Sequence, residues 1–230
     1  MQSLEEELEQ ARDLSVADLA DAIESIGFEC TRCGACCTGH GEDEHTATVF
    51  PDEVRDLESA DGESDTVPST EERDWRDVAR PMPYGLEETD EGLSGETFEW
   101  ALQTDGCGDC VFYEETDDGM GACVAHDDRP LICRTYPFSV ALAGTSQPMG
   151  EAVDEAGIVR AHECEGLGRD ISREDAEELA RALKERAVRE LEEAIAVRDS
   201  YEPAGPDPGE VVVHDSEGAK RIDGRPLEDK

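Results

Sequence analysis

The sequence predicts an α+β fold: a small, irregular, cysteine-rich and metal-centred core with short strands, flanked by an N-terminal helical segment and a long C-terminal helix. Three observations predict it. The run ECTRCGACC packs Cys30, Cys33, Cys36 and Cys37 into eight residues, and Cys107, Cys110, Cys123, Cys133 and Cys164 follow. Apolar residues recur with a helical period at both ends of the chain, over 4–26 and 172–199. Between those ends lie short β-prone runs separated by turn residues. Four thiols this close together are poor core material and good metal ligands.

The N-terminal helices are expected over 4–13 and 15–26. Leu4, Leu8 and Ala11 form one stripe, and Leu19, Ile23 and Ile26 form another. Ser15 is an N-cap with Asp18 three residues on, Leu14 and Leu19 take the staple positions, and Gly27 is a natural stop. Thr46 to Phe50 suits a short strand, and Pro51 can open a helix bearing Val54 and Leu57. From about 59 to 95 the chain is rich in Asp, Glu, Gly, Pro and Ser; it reads as a solvated insertion with a short helix near Glu71 to Ala79. Thr97 to Leu102, Val111 to Tyr113, Ala122 to Ala125, Val140 to Ala143 and Ile158 to Ala161 read as strand pieces, with a turn at Asp117, Asp118 and Gly119. Pro130 and Pro137 bracket Cys133 and forbid a long helix there. The last helix, 172–199, is capped by Ser172 and carries the stripe Leu179, Leu183, Leu191 and Ile195, with Glu177–Arg181 and Glu185–Arg189 pairs at i, i+4. Tyr201 to Pro208 is a linker, and the tail either turns as a hairpin around Asp215 to Gly218 or frays. The expected organisation is a helical segment over 1–27, a cysteine domain over 28–168, a helix packed on it over 169–200, and a linker and tail over 201–230.

Composition bounds the setting. The 230 residues carry 60 Asp and Glu against 20 Lys and Arg, a net charge of -40, with 37% hydrophobic and 5% aromatic residues. Such a thin core would gain from metal crosslinks. The acid is spread along the chain and interleaved with apolar periodicity, unlike a disordered acidic tail. It fits a halophilic protein: at about 1 M salt the Debye length is roughly 3 Å, so carboxylate repulsion is screened. No basic patch exists to meet phosphates, which argues against nucleic acid and anionic membrane as partners. The acidic start MQSLEEELEQ is unlike a signal peptide, and no run approaches roughly 18 apolar residues. A cytoplasmic, reducing location is expected, where nine cysteines are ligands rather than disulfides.

The C-x-x-C pairs at Cys30–Cys33, Cys33–Cys36 and Cys107–Cys110 let two sulfurs converge on one metal, with Gly34 and Gly108 permitting the tight backbone. Side chains of consecutive residues tend to diverge, so Cys36 and Cys37 are expected to serve separate metals. Zinc and an iron–sulfur cluster both accept four thiolates. The ferredoxin run C-x2-C-x2-C-x3-C-P matches at its first three cysteines only, and a radical enzyme's C-x3-C-x2-C is absent. A redox dithiol at Cys107–Cys110 is a rival reading without a surrounding βαβ pattern, and simple burial is a rival for a single cysteine. His40, His126 and His162 lie close to cysteines and could replace a thiolate; His45 and His214 have no such context. Arg129, Arg134 and Tyr136 flank Cys133, where a guanidinium would offset thiolate charge. The competing reading pairs the arginines with Asp127 and Asp128.

At these residues the chain resembles the YkgJ-type cysteine-cluster family, the CxxCxxCC zinc- or iron-chelating domain. The matching pieces are CTRCGACC from Cys30 to Cys37, CVFY at Cys110, GAC at Cys123, RPLICRTYPF from Arg129 to Phe138, and CEGLG from Cys164. The resemblance implies a metal site using Cys30, Cys33, Cys36, Cys37, Cys110, Cys123, Cys133 and Cys164, with Cys107 as the extra thiol. It implies an iron–sulfur cluster or zinc as cofactor, and an electron-transfer role with a redox or protein partner if the centre is iron–sulfur. A non-catalytic zinc module is the first alternative. A protein lysine methyltransferase is the second, since a related group methylates flagellin; the sequence shows no recognisable S-adenosylmethionine site for it.

Overall fold

The computed structural model describes residues 2–39, 44–61, 73–117, 119–148, 151–155 and 157–227. In chain order the elements are α1 (Leu4–Asp13), α2 (Val16–Ile26), β1 (Thr48–Val49), α3 (Pro51–Ser59), α4 (Trp75–Val78), β2 (Ala79–Pro81), β3 (Leu86–Thr89), β4 (Gly92–Thr97), β5 (Trp100–Leu102), β6 (Tyr113–Glu115), β7 (Gly121–Cys123), α5 (Leu131–Thr135), β8 (Phe138–Val140), β9 (Ala152–Asp154), β10 (Val159–His162), α6 (Arg173–Ser200), β11 (Val211–Asp215) and β12 (Gly218–Arg221). The α+β class expected from sequence is what forms. The chain divides into two compact units, Met1–Ala35 with Leu131–Ile195, and Cys36–Pro130 with Ala196–Lys230. Among the described residues no helix is long and apolar enough to cross a membrane.

The first unit is built on α1, α2 and α6 with the antiparallel sheet β8-β10-β9. Local chemistry fixes the helix starts. Ser3 and Glu6 form a reciprocal capping box on α1, and Ser15 Oγ accepts the Asp18 N–H at 3.3 Å on α2. Ser172 Oγ accepts the Asp175 N–H at 3.1 Å at the start of α6. Leu8, Leu19, Ile23, Leu183 and Leu191 then bury their stripes against Phe138, Val140, Val159 and Ala161. Each such side chain contributes about 1.5–3 kcal/mol by leaving water. Phe28 meets Phe138 edge-on at 5.7 Å.

The second unit holds α3, α4 and three small sheets: β1-β5-β2, β12-β11-β4-β3 and β6-β7. Trp75 and Trp100 pack in a T shape at 5.1 Å. Arg73 donates to the Leu57 and Ala60 carbonyls at the end of α3, satisfying helix-terminal acceptors that would otherwise be orphaned. β11 and β12 form a hairpin about Asp215↔Gly218, and β11 also pairs in parallel with β4.

Two expectations need correction. The stretch 59–95, expected as a solvated insertion with a short helix near Glu71 to Ala79, has that helix as α4 but also carries β2, β3 and part of β4 among its described residues. Burial of Trp75 and Val78 and the pairing of β4 with β11 override its acidic composition. The strand expected at Val111 to Tyr113 begins only at Tyr113, because Val111 and Phe112 are buried in the interior at a turn. The core of the first unit is aliphatic and aromatic, with no cysteine in it, and Cys110 alone among the nine thiols is buried.

Candidate metal centre

None of the nine cysteines is in a disulfide. The division between the units falls inside the cysteine run, between Ala35 and Cys36. The run stays non-helical and tightly turned: Arg32 sits at φ 57, a left-handed conformation that costs a non-glycine residue energy, and Gly34 sits at φ 78.

In the second unit, Cys36 and Cys37 have their sulfurs 3.9 Å apart. This overturns the expected divergence of the two neighbours. The spacing suits a weak S–H···S contact, and it also suits two thiolates on one ion, since tetrahedral Zn–S bonds of about 2.3 Å set sulfurs about 3.8 Å apart. The Cys110 N–H donates to the Cys37 carbonyl at 2.8 Å, which ties the early run to the later cysteines. The Tyr113 N–H in turn donates to the Cys110 carbonyl at 2.9 Å, and Tyr113 sits opposite Cys123 in the β6–β7 pair. Cys36, Cys37, Cys110 and Cys123 are thus joined by short backbone links.

Electrostatics couple the same four. The Cys36 thiol is lowered to about 7, first because the Cys37 thiol hydrogen-bonds to it, then against the opposing effect of burial, with attraction from Arg129 adding to the fall. Burial pushes the Cys110 thiol up to about 12, and the neighbouring Cys123 and Cys36 thiols push the same way. Burial also raises Cys123, which Arg129 partly offsets. A buried thiolate here needs a nearby cation, and a metal ion supplies one while displacing the proton. These donors fit a soft, thiolate-binding metal.

Arg129 donates through Nε to the His126 carbonyl at 2.9 Å, which holds its charge near Cys36 and Cys123. Asp127 instead pairs with His126, at 3.3 Å. Arg134, beside Cys133, is exposed. Replacing Arg129 with Gln should weaken metal retention by about tenfold, the lower end of the usual cost of losing an outer partner. Arg134→Gln should leave retention near wild type. Metal content after dialysis against a graded chelator measures both.

The CGDC loop has a device that the sequence reading missed. Asp105 Oδ1 accepts from the Cys107 and Asp109 N–H groups at 2.8 and 3.1 Å, and Gly108 takes φ 86. Asp109 then accepts from the Gly39 N–H at 2.9 Å. An Asp two residues before Cys107 is a turn-forming signal that could have revealed it. Cys107 itself is exposed.

In the first unit, the Glu29 N–H donates to the Gly166 carbonyl at 3.0 Å, and Phe28 bridges to Leu167. Gly166 is required for this approach, since a Cβ there would lie 2.3 Å from the Glu29 carbonyl oxygen. The Gly166 N–H donates to Cys164 Sγ at 3.4 Å. Tyr136 Oη donates to the Glu163 carbonyl, which binds the segment carrying Cys133 to the one carrying Cys164. Tyr136 thus acts on the cysteine segments through backbone, rather than through charge.

Of the histidines considered as ligands, His162 is buried, with Nε2 3.1 Å from Ser139 Oγ. His126 is exposed, and His40 lies outside the described residues. Among the described residues, no three Cys, His, Asp or Glu side chains already converge as a cage.

A family model described as "CxxCxxCC: Putative zinc- or iron-chelating domain" matches residues 29–165, more than half of the chain and including every cysteine. No curated protein and no solved structure matches the sequence. The chain belongs to the CxxCxxCC family of zinc- or iron-chelating domains.

Proposed function

We propose that the second unit of this protein binds a zinc ion through the four thiolates of Cys36, Cys37, Cys110 and Cys123, and that the ion clamps the cysteine loops of that unit. The observation that carries this reading is the 3.9 Å separation of the Cys36 and Cys37 sulfurs, with Cys110 tied to Cys37 by a backbone hydrogen bond. Two sulfurs one tetrahedral edge apart suit one ion. In a four-iron cluster each iron takes one protein thiolate, so the sulfurs stand farther apart; the pair therefore favours zinc over the larger cluster expected from thiol number alone. Zinc would supply four covalent-strength crosslinks and no redox chemistry. Arg129 would offset the surplus negative charge of four thiolates around a divalent ion.

Metal analysis of protein purified without oxygen tests this. The expected result is a colourless protein with stoichiometric zinc. A brown protein whose broad visible absorption bleaches with dithionite would replace the zinc reading by an iron–sulfur redox role, with an electron-transfer partner. Neither zinc nor iron would overturn metal binding by these thiols.

A further inference from the structure

We infer that the chain holds two independent four-thiolate centres, one in each unit, and that the run of cysteines is shared between them by a cut after Ala35. This deepens the zinc reading and rests on thiolate metal binding. The second unit carries Cys36, Cys37, Cys110 and Cys123; the first carries Cys30, Cys33, Cys133 and Cys164. Each set therefore takes two thiols from the run and two from later in the chain.

The first unit has its own means of gathering its set. The Glu29–Gly166 and Phe28–Leu167 links lay the chain just before Cys30 against the chain just after Cys164. The Tyr136 hydroxyl anchors the chain after Cys133 to the residue before Cys164. The left-handed Arg32 bends the path between Cys30 and Cys33, the turn a C-x-x-C pair needs for both sulfurs to face one ion. The Gly166 N–H at Cys164 Sγ is the kind of backbone donor that stabilises a coordinated thiolate. Cys107 is a fifth thiol of the second unit; its N–H is held by Asp105 in the turn before Cys110, and it stands outside the set of four.

Two measurements test the partition. The first is total zinc and iron per chain. Wild type should hold about two equivalents, and Cys36→Ser with Cys37→Ser, or Cys30→Ser with Cys33→Ser, should each hold about one. The second uses unaltered protein: metal is withdrawn in steps with a chelator, released thiols are alkylated, and the labelled positions are mapped. Labels should appear as two groups of four, Cys36, Cys37, Cys110 and Cys123 together and Cys30, Cys33, Cys133 and Cys164 together. A mixed group, such as Cys33 with Cys110, would overturn the partition while leaving metal binding intact. So would about one equivalent in wild type. No metal in wild type would overturn both readings. Because the mapping needs no substitution, a variant that fails to fold does not blur the outcome.

Discussion

Replacing Arg186 with Leu should cost the first unit about 3–5 kcal/mol, the usual range for breaking a buried charge pair by removing one partner. Arg186 lies on α6 among the apolar stripe residues and is 2% exposed. Its Nε donates to Glu190 at 2.8 Å, one terminal nitrogen donates to Thr135 Oγ1 at 3.0 Å and to the Phe138 carbonyl at 3.2 Å, and the other donates to the Ser146 carbonyl at 2.6 Å. The guanidinium thereby ties α6 to α5, β8 and the loop after β8. Leu would fill part of the volume and satisfy none of these acceptors. Glu190, itself nearly buried, would keep the Ser146 N–H and lose its counter-charge. Adding Glu190→Leu should recover much of the loss, because removing both charges avoids a lone buried carboxylate. Urea midpoints at fixed metal content measure the pair of variants. A shift of less than about 1 kcal/mol for the single change would show that the network is not holding the unit, since that is the range of a surface pair.

Asp215→Ala should destabilise the second unit by a similar amount, about 3–5 kcal/mol. Asp215 is 2% exposed; its Oδ2 accepts from Trp100 Nε1 and from Lys220 Nζ, each at 2.8 Å, and its Oδ1 accepts from the Glu217 N–H at 2.9 Å. Lys220 is also buried and lies 5.2 Å from the Trp75 ring. Without Asp215 its ammonium would depend on Glu217, whose side chain is half-exposed and shared with Arg55. A lone buried donor on Trp100 would add to the cost. The readout is specific to this unit, because the protein's two tryptophans are Trp75 and Trp100. Tryptophan fluorescence should report the earlier melt, and Lys220→Met in the Asp215→Ala background should restore part of it. Unchanged fluorescence and midpoint in Asp215→Ala would contradict a structural role for the pair.

Both networks were invisible in the sequence for one reason. Among 60 acidic and 20 basic residues, nothing marks Arg186, Asp215 or Lys220 as buried. Charge normally signals solvent, and only packing reveals which charges are enclosed. Arg186 also stands within the helical period of α6, where its neighbours Leu183 and Leu191 announced an apolar face and it did not.

The strands follow the same logic. β4, with the sequence GLSGET, has two glycines and a glutamate and falls largely in the stretch that reads as a solvated insertion. It becomes a strand because β3 pairs on one side and β11, from the far end of the chain, pairs in parallel on the other. β propensity describes fit to such neighbours more than any backbone preference, so distant pairing decides it.

The sequence by itself determined the helices α1, α2 and α6, the caps of the last two, and membership of a cysteine-cluster family, because each depends on neighbours within a turn or two or on a motif's own spacing. Tertiary structure alone decided which of the cysteine-bearing segments meet. Cys36 lies beside Cys37 rather than apart from it, Cys110 joins them through a carbonyl seventy-odd positions back, and the run divides between two units. Ligand identity is a property of side chains, whereas ligand grouping is a property of how distant backbone meets, and that contact is set by hydrogen bonds and burial that no local pattern encodes.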